Sequence, residues 1–380
     1  MLDSFESRLR NELIARRDRN LYRETRAFDS NLLNLSTNDY FQLRNNPEIL
    51  SLANETAKIY GTGSGASPLL SGFLPCHANL ISKLLRWKKK SFGMLFNTGF
   101  MANQALLKHL PSKDDLILVD KFIHHSMAQA LNSRTQNFKR YNHLDLYQLE
   151  ELLDKNKNNY ENIFVVTESV FSMDGDYPDL KHLVRLKKQY PFILILDEAH
   201  GTGVLGKTGA GLAEEAGIQN EVDIIVGTFG KALAGMGAYI LTNSSSVIEY
   251  LTNKAGEYVY STFLSPHQTG VALAAIDMVM EAHAKRQSLK KLSQWLRNKL
   301  VEFVSVETKF NTPIVPIIFY KSDEVLKIQE LCLNKGILVG AVRPPTVPRD
   351  SSRIRLSLNS ELSEQHLEPF ISIIKEWSFK

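Results

Sequence analysis

The sequence has little of what marks secreted, membrane-spanning or nucleic-acid-binding proteins. Only two cysteines, Cys76 and Cys332, occur in 380 residues, and they lie far apart without metal-ligand spacing. We therefore expect no disulfide framework and a reducing, cytoplasmic location. Basic residues exceed acidic ones by only four, 45 against 41, so the charge does not favour nucleic acid as a partner.

Long apolar runs are also missing, at the N-terminus and elsewhere. No run approaches the roughly 20 residues needed to span a bilayer, so we expect a soluble protein with no membrane partner. Residues 1–20 carry acidic side chains from Asp3 onward and lack the apolar core of a signal peptide. An amphipathic surface helix is predicted there by apolar residues at helical spacing, namely Leu2, Phe5, Leu9 and Leu13.

What the sequence does contain, from about residue 90 onward, is an alternation of short apolar runs and helix-period segments. Helical patterns cover Leu146–Leu153 and Leu180–Lys188. Such alternation predicts an α/β fold with a mostly parallel central sheet and helices on both faces. The expected strands are Phe92–Phe96, Leu116–Val119, Ile163–Thr167, Phe192–Leu196, Val222–Val226 and Ala238–Leu241.

The pattern changes beyond about residue 285. A long charged helix, Lys290–Phe303, precedes three expected strands, Ile314–Phe319, Ile337–Val342 and Ile354–Leu358, and a final helix begins at Ser363. We therefore expect an N-terminal helix and connecting segment over 1–45, a large α/β domain over 46–285 and a smaller α+β domain over 286–380.

Two motifs in one stretch favour an ATPase. Asp197–His200 spells the acidic box of some helicases, and Gly201–Thr208 fits the phosphate-loop pattern. In such ATPases the phosphate loop follows its own strand, and the box ends a later one. Here the box comes first, and the residues after Thr208 are poor helix starters. An ATPase that uses Gly201–Thr208 is therefore the weaker alternative.

A loose dinucleotide-binding fingerprint lies at Gly61–Ala66. That fingerprint must follow a strand and open a helix, whereas Ser51–Tyr60 has a helical pattern. A glycine-rich loop near a pocket is the better interpretation.

A carboxylate and a lysine are expected at neighbouring strand ends. Asp197 ends one apolar run, and Lys231 follows the next one within a glycine-flanked segment. Pyridoxal phosphate needs this pair, because a lysine forms its Schiff base and a carboxylate keeps its pyridine nitrogen protonated. Spacing alone leaves open an ordinary surface lysine and a helix-capping aspartate.

Several segments between about Asn34 and Leu358 occur in the order found in one enzyme family. They are Ser36–Tyr40, Leu69–Gly72, Asn97–Ala105, Asp120–Ser126, Thr167–Asp176, Asp197–Gly211, Gly227–Ile240, Tyr260–Pro266 and Arg343–Pro348. With these segments the sequence resembles the α-oxoamine synthases, which join an amino acid to an acyl thioester with loss of carbon dioxide. The resemblance implies a transferase of fold type I that depends on pyridoxal 5′-phosphate.

The resemblance also implies roles for individual residues around the cofactor. Lys231 would carry the cofactor and later act as general base, and Asp197 would face the pyridine nitrogen. His124, rather than its neighbour His125, would stack on the ring. Further implied contacts are His200 and Ser172 at the phenolate edge, Gly99, Phe100 and Thr228 at the phosphate, and Thr262 at the phosphate of the neighbouring subunit.

The implied role of Thr262 makes a homodimer the expected active unit. For the small-molecule substrates, Arg355 matches the arginine that binds the amino-acid carboxylate, with Arg353 as its rival on the same strand face. Asn38 and Glu168 are expected in the pocket, and Arg23 near the acyl substrate.

One segment narrows the branch of the family. Val342–Pro348 most resembles the branch that condenses L-alanine with pimeloyl-CoA or a pimeloyl carrier protein in biotin synthesis. Sister enzymes that use glycine or serine are the alternative. Four positions depart from the family pattern: Phe41 and Gln42 replace Leu-Gly and are expected to affect the acyl channel, Ile81 replaces an acid, and Ser169 replaces a glycine.

A basic run, Arg86–Lys90, is a candidate docking site for a carrier protein. A solvated helix end is the commoner explanation for such a run.

Overall fold

The computed structural model describes residues 2–132 and 137–379. The chain divides into two compact units. The larger comprises Asn38–Ser172 and Asp176–Ser288, and the smaller comprises Met1–Thr37, Met173–Gly175 and Leu289–Lys380.

Several helices begin at polar or proline caps. Asn46, for example, accepts hydrogen bonds from Glu48 and Ile49 N–H before Pro47 opens its helix. The helices are α1 Leu2–Asp18, α2 Pro47–Tyr60, α3 Pro75–Lys88, α4 Gly99–His109, α5 His125–Asn132, α6 Leu146–Asn156, α7 Leu180–Gln189, α8 Leu212–Ala216, α9 Ser245–Lys254, α10 Gly256–Val259, α11 Pro266–Glu281, α12 His283–Leu300, α13 Ser322–Asn334 and α14 Glu364–Ser378.

The strands of the larger unit are short and mostly buried on both faces. All strands of the described residues are β1 Leu33–Asn34, β2 Phe92–Phe96, β3 Leu116–Asp120, β4 Asn137–Tyr141, β5 Ile163–Glu168, β6 Ile193–Asp197, β7 Ile224–Thr228, β8 Ala238–Thr242, β9 Ile314–Tyr320, β10 Ile337–Leu338, β11 Gly340–Val342 and β12 Ser352–Ser357.

The described residues of the larger unit form a seven-stranded sheet in the order β2-β8-β7-β6-β5-β3-β4. Strands β3 to β7 are parallel, and β8 runs antiparallel to both β7 and β2. Helices flank this sheet, so the predicted α/β fold with a mostly parallel sheet is confirmed. Strand β4 was not predicted, because its sequence Asn137–Tyr141 is a polar edge strand rather than an apolar run.

The smaller unit contains a three-stranded antiparallel sheet, β11-β12-β9, together with α13 and α14. The prediction of one strand over Ile337–Val342 was wrong. The segment divides at Val339 because β10 pairs with β1, whereas β11 pairs with β12.

The predicted N-terminal helix is present as α1, and none of its residues is buried. Leu2, Phe5, Leu9 and Leu13 are exposed, as expected for a surface helix. Among the described residues no helix combines the length and apolarity required to cross a membrane.

Candidate active site

Polar side chains collect where three neighbouring parallel strands end. Glu168 ends β5, Asp197 ends β6 and Thr228 ends β7. Glu168 pairs in register with Asp197, and Asp197 with Val226. In α/β proteins this carboxyl edge of the sheet is where ligands bind.

Lys231 lies on a tightly closed loop that follows β7. Phe229 N–H donates to Gly237 O at 2.9 Å, and Gly235 N–H donates back to Phe229 O at 2.8 Å. Thr228 Oγ1 also donates to Gly237 O at 2.9 Å. These bonds hold the backbone on both sides of Lys231. Because β6 pairs with β7, Asp197 and Lys231 lie at and after the ends of adjacent strands, as the sequence predicts.

The carboxylate of Asp197 is buried and held in one orientation. Asn103 Nδ2 donates to its Oδ2 at 2.8 Å, and Ala199 N–H donates to its Oδ1 at 2.8 Å. Asn103 Nδ2 also lies 3.1 Å from Ser126 Oγ. Asn103 lies inside a family segment, but no role was predicted for it, because its partner Asp197 is 94 residues away in the sequence.

The N-terminus of α4 faces Thr228. Thr98 caps the helix by accepting Met101 N–H, so Gly99 and Phe100 occupy its first turn, as predicted. A Cβ added to Gly99 would lie 3.7 Å from Thr228 Cβ and 3.9 Å from its Oγ1. A helix N-terminus with a hydroxyl beside it favours an anion such as phosphate.

His124 lies between β3 and α5 and is held at its backbone and its ring. Its N–H donates to Glu168 Oε1. Its Nδ1 lies 2.7 Å from Ser126 Oγ and 3.3 Å from Ser126 N. Desolvation, Lys231 and His125 lower the pKa of His124, while Asp197 opposes them, and the neutral imidazole is favoured.

His200 follows Asp197 and is buried. Its Nδ1 lies 2.8 Å from the hydroxyl of Tyr40, which is fully buried. Tyr40 belongs to the segment Ser36–Tyr40, but no role was predicted for it because 160 residues separate it from His200.

Glu168 is almost fully buried beside two charged groups. Burial and the charge of Asp197 raise its pKa well above the ordinary value, and Lys231 opposes this rise. Because Glu168 also accepts His124 N–H, it links β5 to the loop that carries the ring-stacking candidate.

Three other predicted residues lie in the larger unit. Ser172 follows Phe171, whose N–H donates to Asp176 O at 2.9 Å. Asn38 Oδ1 lies 3.5 Å from Tyr40 Oη. Thr262 is exposed, and its carbonyl accepts a hydrogen bond from Asn97 Nδ2 at 2.6 Å.

The arginine candidates lie in the smaller unit. Arg353 and Arg355 are both buried on β12. Arg353 forms an ion pair with Asp174, whereas Arg355 lies 3.4 Å from Ser357 Oγ. Arg23, the residue predicted to lie near the acyl substrate, is exposed. Its Nη2 donates to Thr346 Oγ1 at 2.8 Å.

Comparison with known proteins gives a match over most of the chain. A family model described as aminotransferase class I and II matches residues 30–374. An 8-amino-7-oxononanoate synthase from Chlorobaculum parvum is 37% identical over 350 residues, which cover 90% of this chain and 89% of that protein. The chain belongs to the aminotransferase class I and II family, within the α-oxoamine synthases.

Solved structures agree with this membership. A serine palmitoyltransferase from Sphingomonas wittichii superposes with a TM-score of 0.86 at 27% identity, covering 91% of this chain and 86% of that one. An 8-amino-7-oxononanoate synthase from Francisella tularensis gives a TM-score of 0.81 at 27% identity, covering 92% and 98%. This α-oxoamine synthase is a pyridoxal-phosphate-dependent enzyme.

The ATPase alternative does not fit the loop of this α-oxoamine synthase. A phosphate loop needs backbone N–H groups that point at the phosphates. In Gly201–Thr208 those groups already have partners: Gly203 N–H donates to Gly209 O, and Thr208 N–H donates to Glu214 Oε2. The following helix, α8, has only five residues.

The acidic residue of the helicase-like box has a structural role. Glu198 accepts the N–H groups of Leu212 at 3.1 Å and Ala213 at 2.9 Å, so it caps α8. A Cβ on Gly211 would lie 2.3 Å from its carboxylate, which explains the glycine there.

The glycine-rich segment Gly61–Ala66 follows helix α2 and not a strand, which excludes the dinucleotide fingerprint. Ser64 Oγ donates to Leu264 O at 2.5 Å, and Phe263 N–H donates to Ala66 O at 3.0 Å. The segment is therefore attached to the chain that carries Thr262.

Two departures from the family pattern have local explanations. Gln42 occupies the left-handed region, with φ 53°, where the family's usual glycine is unstrained. Phe41 is 2% exposed, and a Cβ on Gly203 would lie 3.4 Å from its ring. Phe41 is thus an interior residue beside the loop that follows His200.

The basic run Arg86–Lys90 is not a continuous surface patch. Lys88 and Lys90 are buried, whereas Arg86 and Lys89 are exposed. Lys88 Nζ donates to Thr202 Oγ1 and Ala210 O, both at 2.8 Å. Both interpretations of the run, a docking patch and a solvated helix end, were wrong for these two lysines.

Proposed function

We propose that this α-oxoamine synthase condenses L-alanine with a pimeloyl thioester to give 8-amino-7-oxononanoate, carbon dioxide and a free thiol in biotin biosynthesis. The main support is the 37% identity to a curated enzyme of that name across 90% of the chain. The segment Val342–Pro348, which most resembles this branch, adds to it. The thioester is carried by coenzyme A or a carrier protein.

The residues at the carboxyl edge fit pyridoxal phosphate. Its pyridine ring, when bound, supplies an electron sink for negative charge at the substrate Cα. Asp197 is held by Asn103 and Ala199 with a buried carboxylate available to a ring nitrogen. The space between the α4 N-terminus and Thr228 fits the phosphate, where Gly99 allows close approach.

Lys231 has two tasks in this proposal. Its amine would hold the cofactor covalently, and the same amine would serve as the general base for the substrate Cα proton. His200, oriented by Tyr40, serves the phenolate oxygen together with Ser172. The neutral ring of His124 packs on the cofactor face without adding positive charge.

For the substrate carboxylate we assign Arg355. By its place in the sequence, Arg355 matches the arginine that binds the amino-acid carboxylate in the family, and a guanidinium suits bidentate pairing with that group. In the larger unit, Asn38 and Glu168 are assigned to substrate binding.

We assign Arg23 to the binding of the acyl substrate. Its hydrogen bond to Thr346 joins the N-terminal segment to the segment that indicates the pimeloyl branch. A guanidinium suits the free carboxylate at the far end of a pimeloyl chain.

The active unit in this proposal is a homodimer in which Thr262 completes the phosphate site of the partner. Thr262 is exposed in the single chain, which leaves its side chain available to a second copy.

A substrate matrix tests the proposal. The purified holoenzyme would be incubated with L-alanine, glycine or L-serine, each with pimeloyl-CoA or palmitoyl-CoA, and products identified by mass spectrometry. We expect 8-amino-7-oxononanoate from alanine and pimeloyl-CoA only, and none from Lys231→Ala. Lys207→Ala, which changes an exposed lysine of the ATPase-like loop, is the matched control and should remain active.

Serine is the alternative that the structural neighbours favour, because a serine palmitoyltransferase superposes with a TM-score of 0.86. Turnover of serine with palmitoyl-CoA, and not of alanine with pimeloyl-CoA, would move the enzyme to that branch. A protein that cannot be loaded with pyridoxal phosphate contradicts the whole assignment.

A further inference from the structure

A half-buried histidine outside the predicted site bridges two carboxylates. His143 follows β4, and its Nδ1 lies 2.9 Å from Asp120 Oδ1 while its Nε2 lies 2.9 Å from Asp176 Oδ2. Its ring packs against Phe122 at 4.7 Å and, edge-on, against Phe171 at 4.5 Å between centroids. Both ring nitrogens are therefore engaged, and the ring has no freedom to rotate.

The charge of this cluster favours the doubly protonated imidazole. Burial alone would lower the pKa of His143, but the hydrogen bonds and charges of Asp120 and Asp176 raise it to about 10. An imidazolium donates from both nitrogens, as two carboxylate acceptors require. The side chain of Asp120 is fully buried, so water does not replace a missing donor there.

Each of the two acidic residues organises a loop, Asp120 through its carboxylate and Asp176 through its backbone carbonyl. Asp120 ends β3 and accepts Phe122 N–H at 2.8 Å and Leu144 N–H at 2.9 Å. The loop that starts there leads directly to His124. On the other side, Asp176 O accepts Phe171 N–H at 2.9 Å, next to Ser172.

We propose that His143 is a positioning residue: by bridging Asp120 and Asp176 it holds together the two loops that present His124 and Ser172 to the cofactor. This inference rests on the proposed cofactor contacts of those two residues. His143 itself does not touch the reacting atoms. It fixes where the ring-stacking imidazole and the phenolate-edge hydroxyl lie.

The test compares His143→Gln with wild type in three measurements. Hydrogen exchange of the apoprotein reports the loops directly, and we expect the amides of Phe122, Leu144 and Phe171 to exchange about tenfold faster or more in the variant. Titration with pyridoxal phosphate should show about tenfold weaker binding. The cofactor's induced circular dichroism should also fall, because the ring is held less firmly.

His182→Gln is the matched control, since His182 lies on α7 and its ring packs edge-on against Tyr147. It should match wild type in all three readouts. If His143→Gln does not fold, Asp176→Asn keeps the side-chain shape and removes one charge. It should give the same pattern at smaller amplitude.

Two results would overturn the inference. Unchanged exchange at the three amides would show that His143 does not hold the loops. Faster exchange with unchanged cofactor affinity and dichroism would show that His143 stabilises the loops but does not position the cofactor contacts. If wild type binds no pyridoxal phosphate, the proposed function fails separately, and exchange in the apoprotein still decides whether the bridge holds the loops.

Discussion

Glu168 lies between Asp197 and the segment of His124, at the centre of the candidate site. Burial and the neighbouring Asp197 favour its neutral form. We expect Glu168→Gln, which keeps shape and neutrality, to change the pyridoxal phosphate dissociation constant by less than about threefold, whereas Glu168→Ala should weaken binding about tenfold by leaving His124 N–H unpaired. Fluorescence titration of the apoprotein measures both. Equal losses would show that Glu168 acts as an ionised carboxylate.

Tyr40 provides a second test at the level of one side chain. Tyr40→Phe removes the hydroxyl 2.8 Å from His200 Nδ1 in a site closed to water. The free energy of unfolding should fall by about 1–2 kcal/mol and cofactor affinity about fivefold, measured by urea denaturation and titration.

Tyr239→Phe is the control for Tyr40→Phe, because Tyr239 is equally buried but bonds Thr202 at 3.1 Å. It should lose stability without losing cofactor affinity. Similar affinity losses in both variants would assign the effect to general loosening and not to His200.

At the scale of helices, strands and loops, the bridge of His143 predicts a pH dependence of stability. Its pKa of about 10 in the folded chain lies above the ordinary 6.5, so its contribution is complete below pH 6.5 and is lost as the pH rises toward 10. The slope reaches up to about 1.4 kcal/mol per pH unit. Urea denaturation of the apoprotein across this range should show the loss in wild type and a flatter profile in His143→Gln.

The elements that the sequence predicted are those whose apolar pattern is local. Strands such as β5 and β6, and the helix α7, follow from runs of adjacent residues. Strand β4 was missed because its stability comes from pairing with β3 and not from its own apolar character. The division at Val339 was missed because the partners of β10 and β11 are distant in sequence.

The same limit applies to the candidate site. Family segments located Asp197, His200 and Lys231, because each segment has a distinctive local sequence. The residues that hold them, Tyr40 and Asn103, act across 160 and 94 residues, respectively. No local pattern reports such contacts, so only the folded chain shows them.

At the scale of the whole molecule, the proposed dimer can be tested by mixing two inactive variants. A heterodimer of Lys231→Ala and Thr262→Ala subunits has one site with both defects and one site with neither. Random mixing should therefore restore up to about a quarter of wild-type activity, since half of the dimers carry one intact site.

The control for this mixing is Lys231→Ala with Asp197→Ala, two residues placed in the same subunit's site. That pair should stay inactive after mixing. Restored activity there, or none in the Thr262 pair, would contradict a phosphate site shared between subunits.

The alternation of buried and exposed lysines at the end of α3 has a chemical consequence. Burial lowers the pKa of Lys88 and of Lys90 to about 8 against the opposing charges of nearby acids, so a larger fraction of each amine is unprotonated at neutral pH than in an ordinary lysine. Both amines are nevertheless shielded from an acylating reagent in the folded chain, because of these three lysines only Lys89 is exposed. In covalent footprinting, labels on Lys88 and Lys90 would appear only as the protein unfolds. The rate at which they become labelled, compared with Lys89, would therefore report the rate of unfolding.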